Sequence, residues 1–471
     1  MNESLTLAKH IVATNYDDIP ANVADITKRS FLDGLATILA GGGLGEGCKQ
    51  FVNIAIAGGD REESTIIGFN AKVPACMAAF ANGSMAHAID FEDTHDLANV
   101  HPNAATIPAA LAVAESVGNV SGKEFMTALA LGSDIVCRLG LALKEDPLKY
   151  GWYMPPILGA FGAATAAAKL MKLSQEQIVG AFSFTLCQAT CSAELTHSTR
   201  SIVRAIRDAF SAKAGVLSAQ LALRGITGFE HPIEGKAGLF RLYARQDYDL
   251  SVLTNGLGKI FEGANVSFKP WPSCRGTHSF VEATLQIIEM HDLNADDIEE
   301  IRLTISSAPI DRVLCEPLER KQSPTTAIDA KFSLPFVLAV AVVHRGVTLN
   351  HFMPQGLRDP TVLEAARKVS YDVDSKLEAN QGFIGMRVGH KVISSKIPEF
   401  AYGHPTKPMS WEALVAKFID CAAHSAKQIP KGDLGKLIEL ILHLEDVNSM
   451  EEVVLSIHKV APSQRSGYDS E

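Results

Sequence analysis

Residues 159–170 read GAFGAATAAAKL, a run of glycine and alanine broken by one phenylalanine and one threonine and closed by Lys169–Leu170. Side chains this small let neighbouring helices approach closely, so the run predicts a helix inside a tight bundle. The surrounding chain has the same character. From Thr6 to about Phe261, Ala, Leu, Ile and Met recur every three or four residues, as in ITKRSFLDGLATILAG (26–41) and FMTALALGSDIVCRLGLAL (125–143). The spacing predicts helices from Pro74 to about Ala88, Pro108 to Val117, Gly122 to Leu141, Leu158 to Met171 and Ser174 to about Cys191. Gly41 to Gly47 is expected to break the first long helix into a turn.

The pattern changes near Lys269. IRLTISSAPID (301–311) and QGFIGMRVGHKVISSKIP (381–398) alternate as strands do, with helix-like segments at His278–His291, Phe336–Val343 and Pro360–Lys368 between them. SWEALVAKFIDCAAHS (410–425) and GDLGKLIELILHL (432–444) return to amphipathic helix. The fold class is therefore mainly α. A large all-helical domain, residues 1–268 and 399–471, carries a smaller inserted α/β domain, residues 269–398. A chain of 471 residues exceeds one simple core, which also favours two domains.

Hydrophobic residues make up 47% of the chain and charged residues 20%, with a mean hydropathy of +0.10, a packed globular composition. A net charge of −10 with no basic stripe argues against a nucleic-acid partner. The N-terminus does not read as a signal peptide, and apolar runs such as Phe336–Val343 are too short to span a bilayer. A cytoplasmic protein with no membrane partner is the expectation. The eight cysteines are scattered with no CxxC pair, so no closely spaced metal signature is present.

Chemistry concentrates in NGSMAHAIDFEDTHDLANVHP (82–102), which holds three histidines and four acidic residues in 21 positions. If helical geometry persists beyond residue 86, His87 and Asp90, or Asp90 and Thr94, would share a face. Asp90, Thr94 and His101 are candidates to line a site, with His101 as acid or base because histidine titrates near neutrality. The alternative is a solvated loop with ordinary caps. Two basic stretches offer carboxylate receptors. In THSTRSIVRAIRDAFSAKAG (196–215), Arg200, Arg204 and Arg207 can share a helix face. NVSFKPWPSCRGTH (265–278) carries Lys269, Arg275 and His278 in a proline-stiffened segment at the proposed domain junction. Lys331 and Ser333 precede an apolar helix whose first N–H groups are candidates for binding an anion.

The chain resembles the 2-methylcitrate dehydratase superfamily, which also contains cis-aconitate decarboxylases and iminodisuccinate epimerase. The resemblance is carried by HAIDFEDTH (87–95), HPNAATIPAALAVAE (101–115), GAFGAATAAAKLMKLS (159–174), ITGFEHPIEGKAGLF (226–240), FKPWPSCRGTH (268–278) and DAKFSLPFVLAVA (329–341). It implies a large helical domain, a smaller α/β lid, a site between them and a homodimer. It also implies a small di- or tricarboxylate substrate, with no cofactor and no metal. By motif, Asp90, Thr94, His101 and Lys269 match the family's polar site residues, and His87, Arg275 and Lys331 lie within the shared pieces. The chain departs from the decarboxylases at two places. GWYMPPILGAFG (151–162) puts Tyr153 where they carry a histidine, and Arg204 stands where they carry a lysine.

Arginine binds a carboxylate but is a poor proton donor, so these departures rank dehydration or epimerisation above decarboxylation. The expected reaction is dehydration of a 2-methylcitrate-like hydroxy-polycarboxylate. Arg204 and Lys269 would hold carboxylates, His101 would move the proton with Asp90, and Thr94 or Tyr153 would place the leaving hydroxyl. An epimerase would use Tyr153 and His101 on opposite faces of one carbon. A helical binding protein that has lost catalysis is the non-enzymatic alternative.

Overall fold

The helical periodicity of the first half is realised as α1 (Glu3–Ala13), α2 (Ala21–Leu44), α3 (Cys48–Ala57), α4 (Ala75–Ala86), α5 (Pro102–Val117), α6 (Gly122–Ala142), α7 (Met154–Leu170), α8 (Gln175–Leu186), α9 (Val203–Ile206) and α10 (Asp208–Leu223). The computed structural model describes residues 2–198, 201–245 and 247–458. The chain divides into two units. The first comprises Met1–Ala88, Glu92–Val266 and Ser410–Glu471; the second comprises Ile89–Phe91 and Ser267–Met409.

In the first unit the small residues do what the sequence predicts. A Cβ on Gly162 of α7 would lie 2.4 Å from Val136 Cγ2 of α6 and 2.6 Å from Thr106 Oγ1 of α5, so these three helices meet at a point only glycine fits. Helix α6 is long and apolar enough to cross a membrane, but 94% of its apolar window is buried, which makes it the unit's core helix. Besides helices, the unit carries, among the described residues, one short antiparallel strand pair, β1 (Ser64–Thr65) and β2 (Lys72–Val73).

Several boundaries differ from the periodicity; α7, for one, begins at Met154, four residues before the expected Leu158. Helix α2 runs through Gly41–Gly43 instead of breaking there, because these glycines are contact points: a Cβ on Gly41 would lie 2.1 Å from the Met85 carbonyl oxygen. Helix α5 starts at Pro102, six residues before the expected Pro108. Pro102 occupies the first turn, where no N–H is needed, and Pro108 is carried inside the helix. Helix α8 stops at Leu186, short of Cys191.

The second unit is a four-stranded sheet with helices. Its strands are β3 (Glu300–Ser306), β4 (Val369–Asp374), β5 (Gly382–Val388) and β6 (Lys391–Lys396), in the order β4-β3-β5-β6. The β3–β4 pair is parallel; β3–β5 and β5–β6 are antiparallel, with Leu303 opposite both Tyr371 and Ile384. Ile301, Leu303, Ile305, Ile384 and Met386 are buried, packed with the helices His278–His291 and Leu334–His344 in one core.

Candidate active site

Helix α4 ends at Ala86, so the i,i+3 and i,i+4 relations expected among His87, Asp90 and Thr94 do not form. Residues 87–101 are turns and bridges, closed where His95 pairs with Val100. His87 terminates α4 and His101 caps α5, and because these helices pack together, both imidazoles return to one place. Their ring centroids lie 5.0 Å apart. Between them stands Glu92: its Oε1 bonds His87 Nδ1 and lies 3.0 Å from His101 Nδ1. His101 Nδ1 also lies 2.9 Å from the Asp93 carbonyl oxygen. A carbonyl can only accept, so Nδ1 carries the proton and Nε2 holds the lone pair. The result is an imidazole with a fixed tautomer, backed by a buried carboxylate suited to stabilising its protonated form. Thr94 is buried, and its hydroxyl donates to the Val100 carbonyl at 3.2 Å, which closes the loop.

Behind His101 lies a buried polar row. Asp93 Oδ2 accepts from Asn103 Nδ2 at 2.5 Å, while Lys417 and Asp33 pair at 2.6 Å nearby. Burial, reinforced by Asp33, pushes the Asp93 carboxyl up to about 8. The folded form therefore prefers Asp93 neutral. Its contribution to stability is complete below about pH 4 and is lost as the pH rises through about 8, a change on the order of 5 kcal/mol. Asp93→Asn cannot ionise and keeps an acceptor for Asn103. The variant should match the wild type near pH 4 and exceed it in urea midpoint at pH 8–9. Parallel midpoint-versus-pH curves for the two proteins would show that Asp93 does not titrate in this window.

Tyr153 and the arginines belong to the same unit. Tyr153 immediately precedes α7 and is held there by its N–H bond to the Cys191 carbonyl at 3.0 Å. Ser211 of α10 ties the two helix starts together by donating to Pro156 at 2.6 Å. The Tyr153 ring centroid lies 5.2 Å from Arg207 Cζ and 6.0 Å from Arg204 Cζ, within cation–π range. Arg200 lies outside the described residues, and Arg204 sits on the short α9, so the three arginines do not form one helix face. Arg207 and Asp208 begin α10; both are buried and feel the charge of Glu92, and Asp208 also that of His87. Burial holds the Asp208 carboxyl above its ordinary range.

The second unit holds the remaining candidates. Lys269 is fully buried. Its Nζ donates to Asp90 Oδ1 at 2.5 Å and to the Asp90 carbonyl at 3.1 Å. Asp90 adopts φ +50°, a left-handed conformation that aspartate tolerates better than most residues. Lys331 Nζ donates to the carbonyls of Ile89 at 2.7 Å and Pro272 at 2.9 Å, which ties the residue before Asp90 to the segment that follows Lys269. Ser333 corrects the anion site expected before the apolar helix. Its own hydroxyl accepts the Phe336 N–H at 3.0 Å, so it serves as the helix cap. Arg275 donates to Ser267 Oγ at 3.1 Å and faces His278 Nδ1 at 3.4 Å. Burial, with Arg275 and Lys269 beside it, keeps His278 well below its ordinary pKa and therefore neutral.

Glu92, Asp93, Asn103 and Asp208 were not among the site residues chosen from sequence. Only density pointed to Glu92 and Asp93, and only the arginine spacing to Arg207. His87, Glu92 and His101 are metal-ligand types whose donor atoms lie within 4.8 Å of one another. Both Nδ1 atoms face one carboxylate oxygen at hydrogen-bonding separation, an arrangement that places protons where a cation would sit.

Residues 5–251 match the MmgE/PrpD N-terminal domain and residues 271–435 the MmgE/PrpD C-terminal domain. The chain is 27% identical over 412 residues to the Cis-aconitate decarboxylase-like protein oryM of Aspergillus oryzae, covering 82% of this chain and 83% of that protein. It is 26% identical over 415 residues to the Cis-aconitate decarboxylase of Homo sapiens, covering 83% and 81%. Against the Cis-aconitate decarboxylase of Aspergillus terreus, identity is 24% over 463 residues, covering 93% of each. With family domains matched across most of its length, this chain belongs to the MmgE/PrpD, 2-methylcitrate dehydratase-like superfamily and is an enzyme of the lyase type.

Proposed function

We propose that the chain decarboxylates a small unsaturated tricarboxylate of the cis-aconitate type. The observation that carries this reading is His101, an imidazole of fixed tautomer backed by buried Glu92, in a chain aligned along most of its length with cis-aconitate decarboxylases. The reaction needs one proton delivered to carbon. The bond between the saturated carbon and its carboxylate breaks and releases carbon dioxide. Its electron pair forms a new double bond, the old double bond shifts, and the vinylic carbon takes the proton. Protonated His101 supplies that proton, Glu92 stabilises the imidazolium beforehand, and solvent recharges the ring afterwards. Arg204 offsets the negative charge that builds as the carbon–carbon bond opens.

Dehydration of a 2-methylcitrate-like acid is the second reading. It is favoured by Tyr153 and Arg204, which the motif resemblance sets at the positions where the decarboxylases carry histidine and lysine. Proton NMR in deuterated buffer separates the two. Decarboxylation of cis-aconitate should yield a product with a terminal methylene free of deuterium and one deuteron on the carbon that was vinylic. New vinylic signals from 2-methylcitrate, with cis-aconitate unchanged, would replace the first reading by the second.

A further inference from the structure

Arg207 is 1% exposed, and the structure uses only one end of its guanidinium. Nη1 donates to the Arg204 carbonyl oxygen. Nε and Nη2 have no hydrogen-bond partner among the described residues. These two nitrogens form one edge of the guanidinium, and their parallel N–H bonds match the two oxygens of a carboxylate. Asp208 does not satisfy that edge. Its Oδ2 is 3.7 Å from Nε, too far for a hydrogen bond, and is itself without a hydrogen-bond partner among the described residues.

A buried guanidinium with two idle donors is costly in a folded chain, because those N–H groups have left water without gaining a hydrogen bond in exchange. Such an edge persists where a ligand completes it. The surroundings fit an anion that arrives with the substrate. Arg207 stands at the start of α10, beside Tyr153 and Arg204, both half-buried, and within electrostatic reach of Glu92. A Cβ on Gly83 of α4 would meet the Asp208 carbonyl at 2.8 Å, so the turn of α4 that leads to His87 packs directly on this helix start. The idle edge therefore belongs to the same corner of the unit as the His87–Glu92–His101 cluster.

We propose that Arg207 is a specificity residue that receives one substrate carboxylate through its Nε/Nη2 edge and so selects a tricarboxylate over a dicarboxylate. The inference rests on the polycarboxylate reading above and adds to it which side chain counts the carboxylates.

Calorimetric titration tests this without turnover. The probes are tricarballylate, glutarate, which lacks its central carboxylate, and methylsuccinate, which lacks a terminal one. The wild type should bind tricarballylate more tightly than both. Arg207→Gln should weaken tricarballylate about 10- to 100-fold while leaving one of the dicarboxylates, the one lacking the carboxylate that Arg207 holds, within about 3-fold. Arg207→Lys keeps the charge but not the fork, and should fall between the two. Should Arg207→Gln fold poorly, Arg207→Lys alone decides: an unchanged preference for tricarballylate overturns the inference. A wild type that binds none of the probes removes the polycarboxylate reading and this inference with it. A wild type that prefers tricarballylate, with variants that keep the preference, removes the inference alone.

Discussion

Lys269→Met should destabilise the fold by about 3–5 kcal/mol and abolish turnover, because it leaves the Asp90 carboxylate buried without its ammonium partner. The pair is held on both sides. Lys269 is fully buried and reaches two oxygens of Asp90, and Lys331 fastens the preceding residue through the Ile89 carbonyl. Asp90 also sits at φ +50°, a conformation the surrounding contacts must impose. Asp90→Asn alone should cost less, since its amide oxygen and the backbone carbonyl still accept from the ammonium, which loses only the facing charge. The double variant Asp90→Asn/Lys269→Met removes both charges and should recover most of the stability, because replacing a buried pair by neutral groups is far less costly than halving it. It should not recover activity. Urea midpoints and turnover measured on all three variants separate the two roles. If the double variant is stable and active, the pair is a structural brace and takes no part in the chemistry.

The sequence-derived fold and the structure agree where one physical signal dominates and part where several compete. The bundle was legible at 159–170 because close helix packing tolerates little besides glycine and alanine, and the Gly162 contacts bear this out. Strand β3 was legible because Ile301, Leu303 and Ile305 alternate with polar residues over a buried face. Strand β4, VSYDVD, lies at the sheet edge with only Val369 buried, so it has almost no apolar alternation to read. At Gly41–Gly43 the same residue type that elsewhere marks a turn serves a close helix contact, and composition alone does not distinguish the two uses.

The site was legible as a density of ionisable groups and not as a geometry. Helical spacing placed His87 with Asp90, whereas the helix stops one residue earlier and His87 turns to Glu92. No periodicity describes that turn. It is set by the left-handed Asp90 and by the helix starts and ends that fix residues 87 and 101. Likewise, Arg204 and Arg207 have the spacing of one helix face but fall on either side of a helix boundary, and this leaves Arg207 buried and Arg204 half-buried.

His101→Asn should reduce kcat by about 100- to 10,000-fold with KM changed only a few-fold, the signature of a lost proton donor rather than a lost binding contact. The substitution is chosen for what it keeps. An asparagine amide can still donate to the Asp93 carbonyl, the bond His101 Nδ1 makes at 2.9 Å, so the start of α5 and the loop before it retain their anchor. What disappears is Nε2, the only ring position able to exchange a proton once Nδ1 is committed. His101 is also less buried than His87, so its truncation opens no deep cavity, and stability should stay within about 1 kcal/mol of wild type. That separates it from Lys269→Met, whose loss of activity comes with a loss of stability. Glu92→Gln gives the complementary result: the ring remains but its imidazolium loses the facing charge, so kcat should fall less and its pH profile should move to lower pH. If His101→Asn stays within about 5-fold of wild type, proton delivery belongs to another group, and Tyr153→Phe becomes the variant that decides between Tyr153 and His87.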